Sequence, residues 1–159
     1  MSDPLSTYLH DHLAGAALAI DLLKSMQRNN AGEPLGQFAK SLLADIEADR
    51  DLLRGLAEQV GVRSSAFKEL IAWLSEKVSR VKLGGQTPSD FGTFEALEFL
   101  QLGIHGKWAL WQALAVVAAA DERLRGTDFL RLATRAATQE SQVEQLRLQA
   151  ARLVFQPSA

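Results

Sequence analysis

Prolines stand at positions 4, 34, 88 and 157 and nowhere else. Each fits a helix start or a tail, so the stretches between them are free of the residue that breaks a helix interior. Asp3-Pro4 is a cap followed by proline at the first helical position, and a helix is expected from there to about Arg28, ended by Asn29-Asn30-Ala31-Gly32. A second starts at Glu33-Pro34 and runs to about Val60, where Gly61 stops it. A shorter helix is expected over about 66 to 82, capped by Ser64 or Ser65, with Phe67, Leu70, Ile71, Leu74 and Val78 at helical spacing. Gly84-Gly85-Gln86-Thr87-Pro88-Ser89 reads as a loop, a third long helix follows from about Asp90 to Ala120, and a fourth from Thr127-Asp128 to about Phe155. No alternating stretch persists that would make a strand. The expectation is an all-α four-helix bundle forming one domain over residues 1–159: a long hairpin, a long crossover containing a short helix, and a second long hairpin. Helices of this length are about 40 Å long.

Bulk properties narrow the function. The net charge is −2 with both signs mixed along the chain, which gives no electrostatic case for a nucleic acid or an anionic membrane. Cysteine is absent, which excludes disulfides, thiolate metal sites and cysteine nucleophiles. The longest apolar run, Ala113 to Ala120, is too short to span a bilayer. MSDPLSTYLHDH lacks the basic start of a signal peptide, so a cytoplasmic location is the default expectation.

The informative residues are polar ones on apolar faces. On a helical wheel His12 falls beside Leu5, Leu9, Ala16 and Ile20, opposite His10. Asp49 lies in the middle of the stripe Leu35, Phe38, Leu42, Ile46, Leu53, Leu56 and Val60. Lys107 falls among Leu100, Ile104, Trp111 and Leu114, flanked by Gly103 and Gly106, which permit a close neighbour. In the fourth helix Glu140 and Arg147 lie within the stripe, and Gln139 and Glu144 border it. Counting outward from the turns near Ala31 and Leu124 places His12 level with Asp49, and Lys107 level with Glu140. Buried ions must be paired. An internal network of His12, Asp49, Lys107, Glu140, Glu144 and Arg147 is therefore expected, with Asp49 accepting from His12 and Glu140 or Glu144 accepting from Lys107 or Arg147.

Each residue also has a plainer reading. A histidine on an apolar face is more often structural than a ligand. Lys107 snorkelling its ammonium to the bundle edge is about as common an outcome as true burial. Glu140 and Arg147 turn outward with a small rotation of their helix. His10-Asp11-His12 looks metal-like, but its two histidines point to opposite sides of the helix. No complete catalytic, metal or nucleotide signature is present: Gly84-Gly85 is a turn and not a phosphate loop.

Four stretches together carry a family likeness: Tyr8-Leu9-His10-Asp11-His12-Leu13-Ala14-Gly15-Ala16; Ile46-Glu47-Ala48-Asp49; Gly103-Ile104-His105-Gly106-Lys107 with Leu110-Trp111; and Gln139 with Val143-Glu144 and Arg147. Over most of its length the chain resembles the ferritin-like four-helix bundles, and more specifically small uncharacterised bacterial proteins assigned to that superfamily. Di-iron members use a glutamate from each of two helices and Glu-x-x-His from each of the other two. Here Glu47 is followed at +3 by Arg50, Glu95 by Glu98 and Glu140 by Val143, and no Glu-x-x-His occurs. His12, Asp49 and Glu140 would supply at most a partial ligand set, and Lys107 and Arg147 would bring positive charge to the place of the metals. The leading expectation is a non-enzymatic structural or interaction module without metal or other cofactor, associating as a homodimer through Trp73, Trp108 and Trp111. The alternatives are a degenerate iron or manganese oxidase-like enzyme using His12, Asp49 and Glu140, and a binder of a small acidic or apolar ligand with Lys107 as the anion anchor. The last requires an internal pocket beside Lys107.

Overall fold

The computed structural model describes residues 3–61, 72, 76 and 89–156. The described residues form four long helices and no strand: α1 (Pro4–Asn29), α2 (Pro34–Val60), α3 (Asp90–Val117) and α4 (Phe129–Phe155), with a 3-10 turn at Glu122–Leu124. The helix expected over 66–82 lies outside the described residues apart from Ala72 and Glu76, both helical. So do Trp73 and the loop at 84–88.

Local chemistry fixes the helix starts. The Asp3 carboxylate accepts from the Leu5 amide at 3.0 Å, and Pro4 occupies the position where no amide hydrogen is needed. Ser89 accepts from the Gly92 amide and Asp128 from the Arg131 amide, both at 3.0 Å. The α1–α2 connection is a tight turn in which Gly32 adopts φ 83°, a left-handed conformation open to glycine at little cost. Gly36, in the first turn of α2, is buried against the end of α1: a Cβ placed on it would come 2.0 Å from the Asn30 carbonyl oxygen.

The third helix ends at Val117, one turn earlier than its sequence suggests. Ala118–Ala120 form a turn, Asp121 accepts from the Arg123 amide at 3.0 Å, and the 3-10 turn drives Leu124 into complete burial. Burying Leu124 outweighs another turn of alanine helix. Arg123 also reaches Asp3 at 2.6 Å, tying this turn to the start of α1.

The core falls into two clusters. One gathers Leu9 from the start of α1, Leu56 and Val60 from the end of α2, Leu114 from the end of α3, and Phe129 and Ala133 from the start of α4. The other gathers Met26, Ala39, Phe94 and Ala150 at the opposite ends of the same helices. The direction of every helix follows. α1 and α4 run one way and α2 and α3 the other, so Val60 and Asp90 lie at opposite ends of the bundle. α1 packs on α2 and on α3, and α3 packs on α4. The α2–α4 side is spanned by long polar side chains. Among the described residues no helix is long and apolar enough to cross a membrane.

Candidate functional site

Between the two apolar clusters lies a polar layer. Asp49 of α2 is only 4% exposed. Lys107 of α3 donates from Nζ to Asp49 Oδ2 at 2.6 Å and to Gln139 Oε1 of α4 at 2.5 Å. Arg135, one turn before Gln139 on α4, donates from Nη2 to Asp49 Oδ1. The amide Nε2 of Gln139 donates in turn to Asp45 Oδ2 at 3.0 Å. The chemistry of the neighbours fixes the orientation of this amide, because its carbonyl must face the ammonium and its NH2 the carboxylate. Burial lowers the pKa of Lys107; Asp49 opposes that shift by attraction and hydrogen bonding. The geometry still supports a charged ammonium, held by one carboxylate and one amide oxygen.

His12 stands at the same height on α1. Its ring meets Tyr8 edge-on at 4.7 Å, and α3 approaches closely enough that a Cβ on Gly106 would touch His12 Cε1 at 4.0 Å. The expected His12–Asp49 hydrogen bond is not formed, because the two Asp49 oxygens face Lys107 and Arg135. Desolvation pushes the imidazole pKa down from 6.5, partly opposed by the charge of Asp11. The folded chain therefore holds His12 neutral where the unfolded chain takes up a proton. Stability is retained above 6.5 and falls as pH drops through that value. Thermal melts at about pH 7.5 and 5.5 are expected to show a larger loss for the wild type than for His12→Gln. Parallel behaviour of the two proteins would refute this.

The structure corrects other sequence expectations as well. Glu140 does not take Lys107: it lies at the rim, 3.1 Å from His105 Nδ1, while its neighbour Gln139 points inward. One residue is a 100° rotation, enough to exchange interior for rim. Glu144 does accept from Arg147, at 2.7 Å, but the pair stands apart from the inner layer, further along α4, joined by Glu98 at 3.3 Å, with the guanidinium over the Phe94 ring. Trp111 is no interface anchor, since it is 1% exposed and stacks on Phe129 within the core. Trp108 is half-buried against the same cluster.

Arg135, Gln139 and Asp45 are the network members that the wheel analysis did not select. A heptad reading finds the whole layer. Leu42-Asp49-Leu56, Leu100-Lys107-Leu114, Leu132-Gln139-Leu146 and Leu5-His12-Ala19 are each spaced by seven, so every helix exchanges one apolar residue for a polar one at mid-height. Asp45 and Arg135 then stand one turn before Asp49 and Gln139, on the same faces.

The layer borders a cavity of about 70 Å³ between α1, α2 and α3. His12, Asp49, Lys107 and Trp111 line it together with aliphatic side chains. Among the described residues no three His, Asp or Glu side chains converge as a metal would require. The candidate ligands His12, Asp49 and Glu140 are not brought together, because Glu140 faces His105 and Asp49 is saturated by two cations. No protein-family model, curated protein or solved structure matches this chain.

Proposed function

We propose that this chain is a metal-free, non-enzymatic module of ferritin-like type, in which an internal ion-pair layer takes the electrostatic place of a metal centre. The observation that carries the reading is the seat of Lys107 Nζ between Asp49 Oδ2 at 2.6 Å and Gln139 Oε1 at 2.5 Å, in the middle of the bundle. A fixed ammonium there neutralises the inward carboxylate and repels a divalent cation. The direction of the helices, with α2 and α3 running in parallel, supports the ferritin-like comparison. Elemental analysis of the purified protein is expected to find no stoichiometric iron or manganese, and added metal is expected to leave the melting temperature unchanged. Near-stoichiometric metal, or metal-dependent stabilisation, would overturn the reading.

The interaction role is proposed as self-association through α3. Leu102 and Val116 stand two heptads apart on its outward side and are 69% and 82% exposed. Such spacing suits a seam against a second copy of the same helix. Light scattering is expected to give a dimer for the wild type and a monomer for Leu102→Glu/Val116→Glu. A monomeric wild type would remove self-association from the proposal.

A further inference from the structure

We propose that the mid-height cavity is a binding site for an uncharged, apolar molecule of about three heavy atoms, of the class of the short gaseous hydrocarbons. Such binding goes beyond a structural role and does not depend on the ferritin-like reading. The cavity lies between α1, α2 and α3 and measures about 70 Å³. A space of about 150 Å³ lined by leucine, isoleucine and phenylalanine holds one benzene, so about half that space suits about half as many heavy atoms. The walls are chiefly aliphatic, with Ile46, Leu53, Leu100 and Ile104 among them. Such walls give an apolar guest dispersion contacts and release it from water, and they ask for no hydrogen bond.

The polar side chains at the wall are engaged elsewhere. Asp49 is held by Lys107 and Arg135, Lys107 also donates to Gln139 at 2.5 Å, and Arg50 pairs with Asp51 at 2.9 Å. Trp111 lines the cavity too. Its indole Nε1 is the one buried side-chain polar atom without a hydrogen-bond partner among the described residues, but it is inaccessible and offers a guest nothing. An anion beside Lys107 would compete with Asp49 for the ammonium, and a cation would meet Lys107 and Arg50. The anion-anchor role expected of Lys107 from sequence is thus filled from within the protein. His12 is the remaining polar group, and burial favours its neutral imidazole, which attracts neither ion.

Glycine leaves the cavity open to the surface. Gly15 on α1 and Gly103 on α3 both line it and are exposed, and a Cβ added to either meets nothing within 4 Å. A small guest can enter beside them without moving a side chain.

The test is an NMR titration of protein carrying 13C-labelled isoleucine δ1 methyl groups. Ile46 and Ile104 line the cavity, and their signals are assigned by loss in Ile46→Val and Ile104→Val. Ile20 is buried but does not line it, and serves as the internal reference. Propane, ethanol and formate match in heavy-atom count and differ in polarity and charge, and benzene is twice their size. Propane is expected to move the Ile46 and Ile104 signals in a saturable way, to leave Ile20 in place and to raise the melting temperature. Ethanol is expected to bind about tenfold more weakly, because its hydroxyl gives up water for an aliphatic space. Formate is expected to give no saturable shift, and benzene none either, since it overfills the space. Ala16→Leu adds to the wall about as many carbons as the guest contains. It is expected to abolish the propane response while the circular dichroism spectrum stays helical. The wild-type titration decides the matter even if that variant does not fold. Propane leaving both cavity signals unmoved, ethanol, formate or benzene binding as tightly as propane, or an undiminished propane response in a folded Ala16→Leu would each overturn the proposal.

Discussion

Replacing Asp49 with alanine is expected to cost about 3–5 kcal/mol of folding stability, the range found when one partner of a buried ion pair is removed. The loss is large because of what remains. Lys107, 13% exposed at its side chain, would keep only the Gln139 carbonyl as a partner. Arg135 is 41% exposed and can turn to water, so its release contributes little. Lys107→Met is expected to cost less, because Arg135 continues to neutralise Asp49. The double variant Asp49→Ala/Lys107→Met removes both buried charges together, so it should lose markedly less than the sum of the two single variants. Urea unfolding of the four proteins measures this coupling. Additive losses in the double variant would show that the pair is not a unit.

The second large effect is expected at Gly36. A methyl group there would lie 2.0 Å from the Asn30 carbonyl oxygen and 2.8 Å from its carbon. Both are backbone atoms, so relief requires the end of α1 and the start of α2 to separate. Gly36→Ala is therefore expected to destabilise by about 1–3 kcal/mol, against the usual gain of alanine over glycine in a helix. Gly55→Ala is the matched comparison. It lies in the interior of the same helix with nothing within 4 Å of an added Cβ, and it should gain about 1 kcal/mol. Opposite signs for two chemically identical substitutions in one helix would establish that the α1–α2 contact, and not helix propensity, governs position 36. Equal gains at both would refute the close approach.

The helices were legible because their punctuation is chemical: proline at the start of α1 and α2, and Asp3, Ser89 and Asp128 as caps. Asp49 and Lys107 were legible as polar residues within apolar stripes. Their pairing with each other was not, because it depends on how the two hairpins face across the bundle, which counting within each hairpin does not set. Gln139 was missed for a related reason. The wheel of α4 carries alanine on several faces, so its centre is poorly defined by hydrophobicity alone, and an error of one residue exchanges Gln139 for Glu140. The cavity and the lone indole donor of Trp111 leave no mark in a linear pattern, since each is a property of packing among helices distant in sequence.

The two hairpins have a consequence for how the chain assembles. α1 with α2, and α3 with α4, meet across short turns, whereas α1 with α3 joins parts of the chain about ninety positions apart. Each hairpin is thus a unit of local contacts, and loop-closure entropy favours its formation ahead of the longer-range contact between hairpins. The apolar seam between them repeats with the helical turn, so leucines and alanines alone would tolerate sliding by one turn. The layer containing Asp49, Lys107 and Gln139 does not repeat, and a slip would strand an ammonium among leucines. Its place in the fold is that of a registration key: the native alignment gives Lys107 its two partners, and an alignment slipped by one turn would take them away.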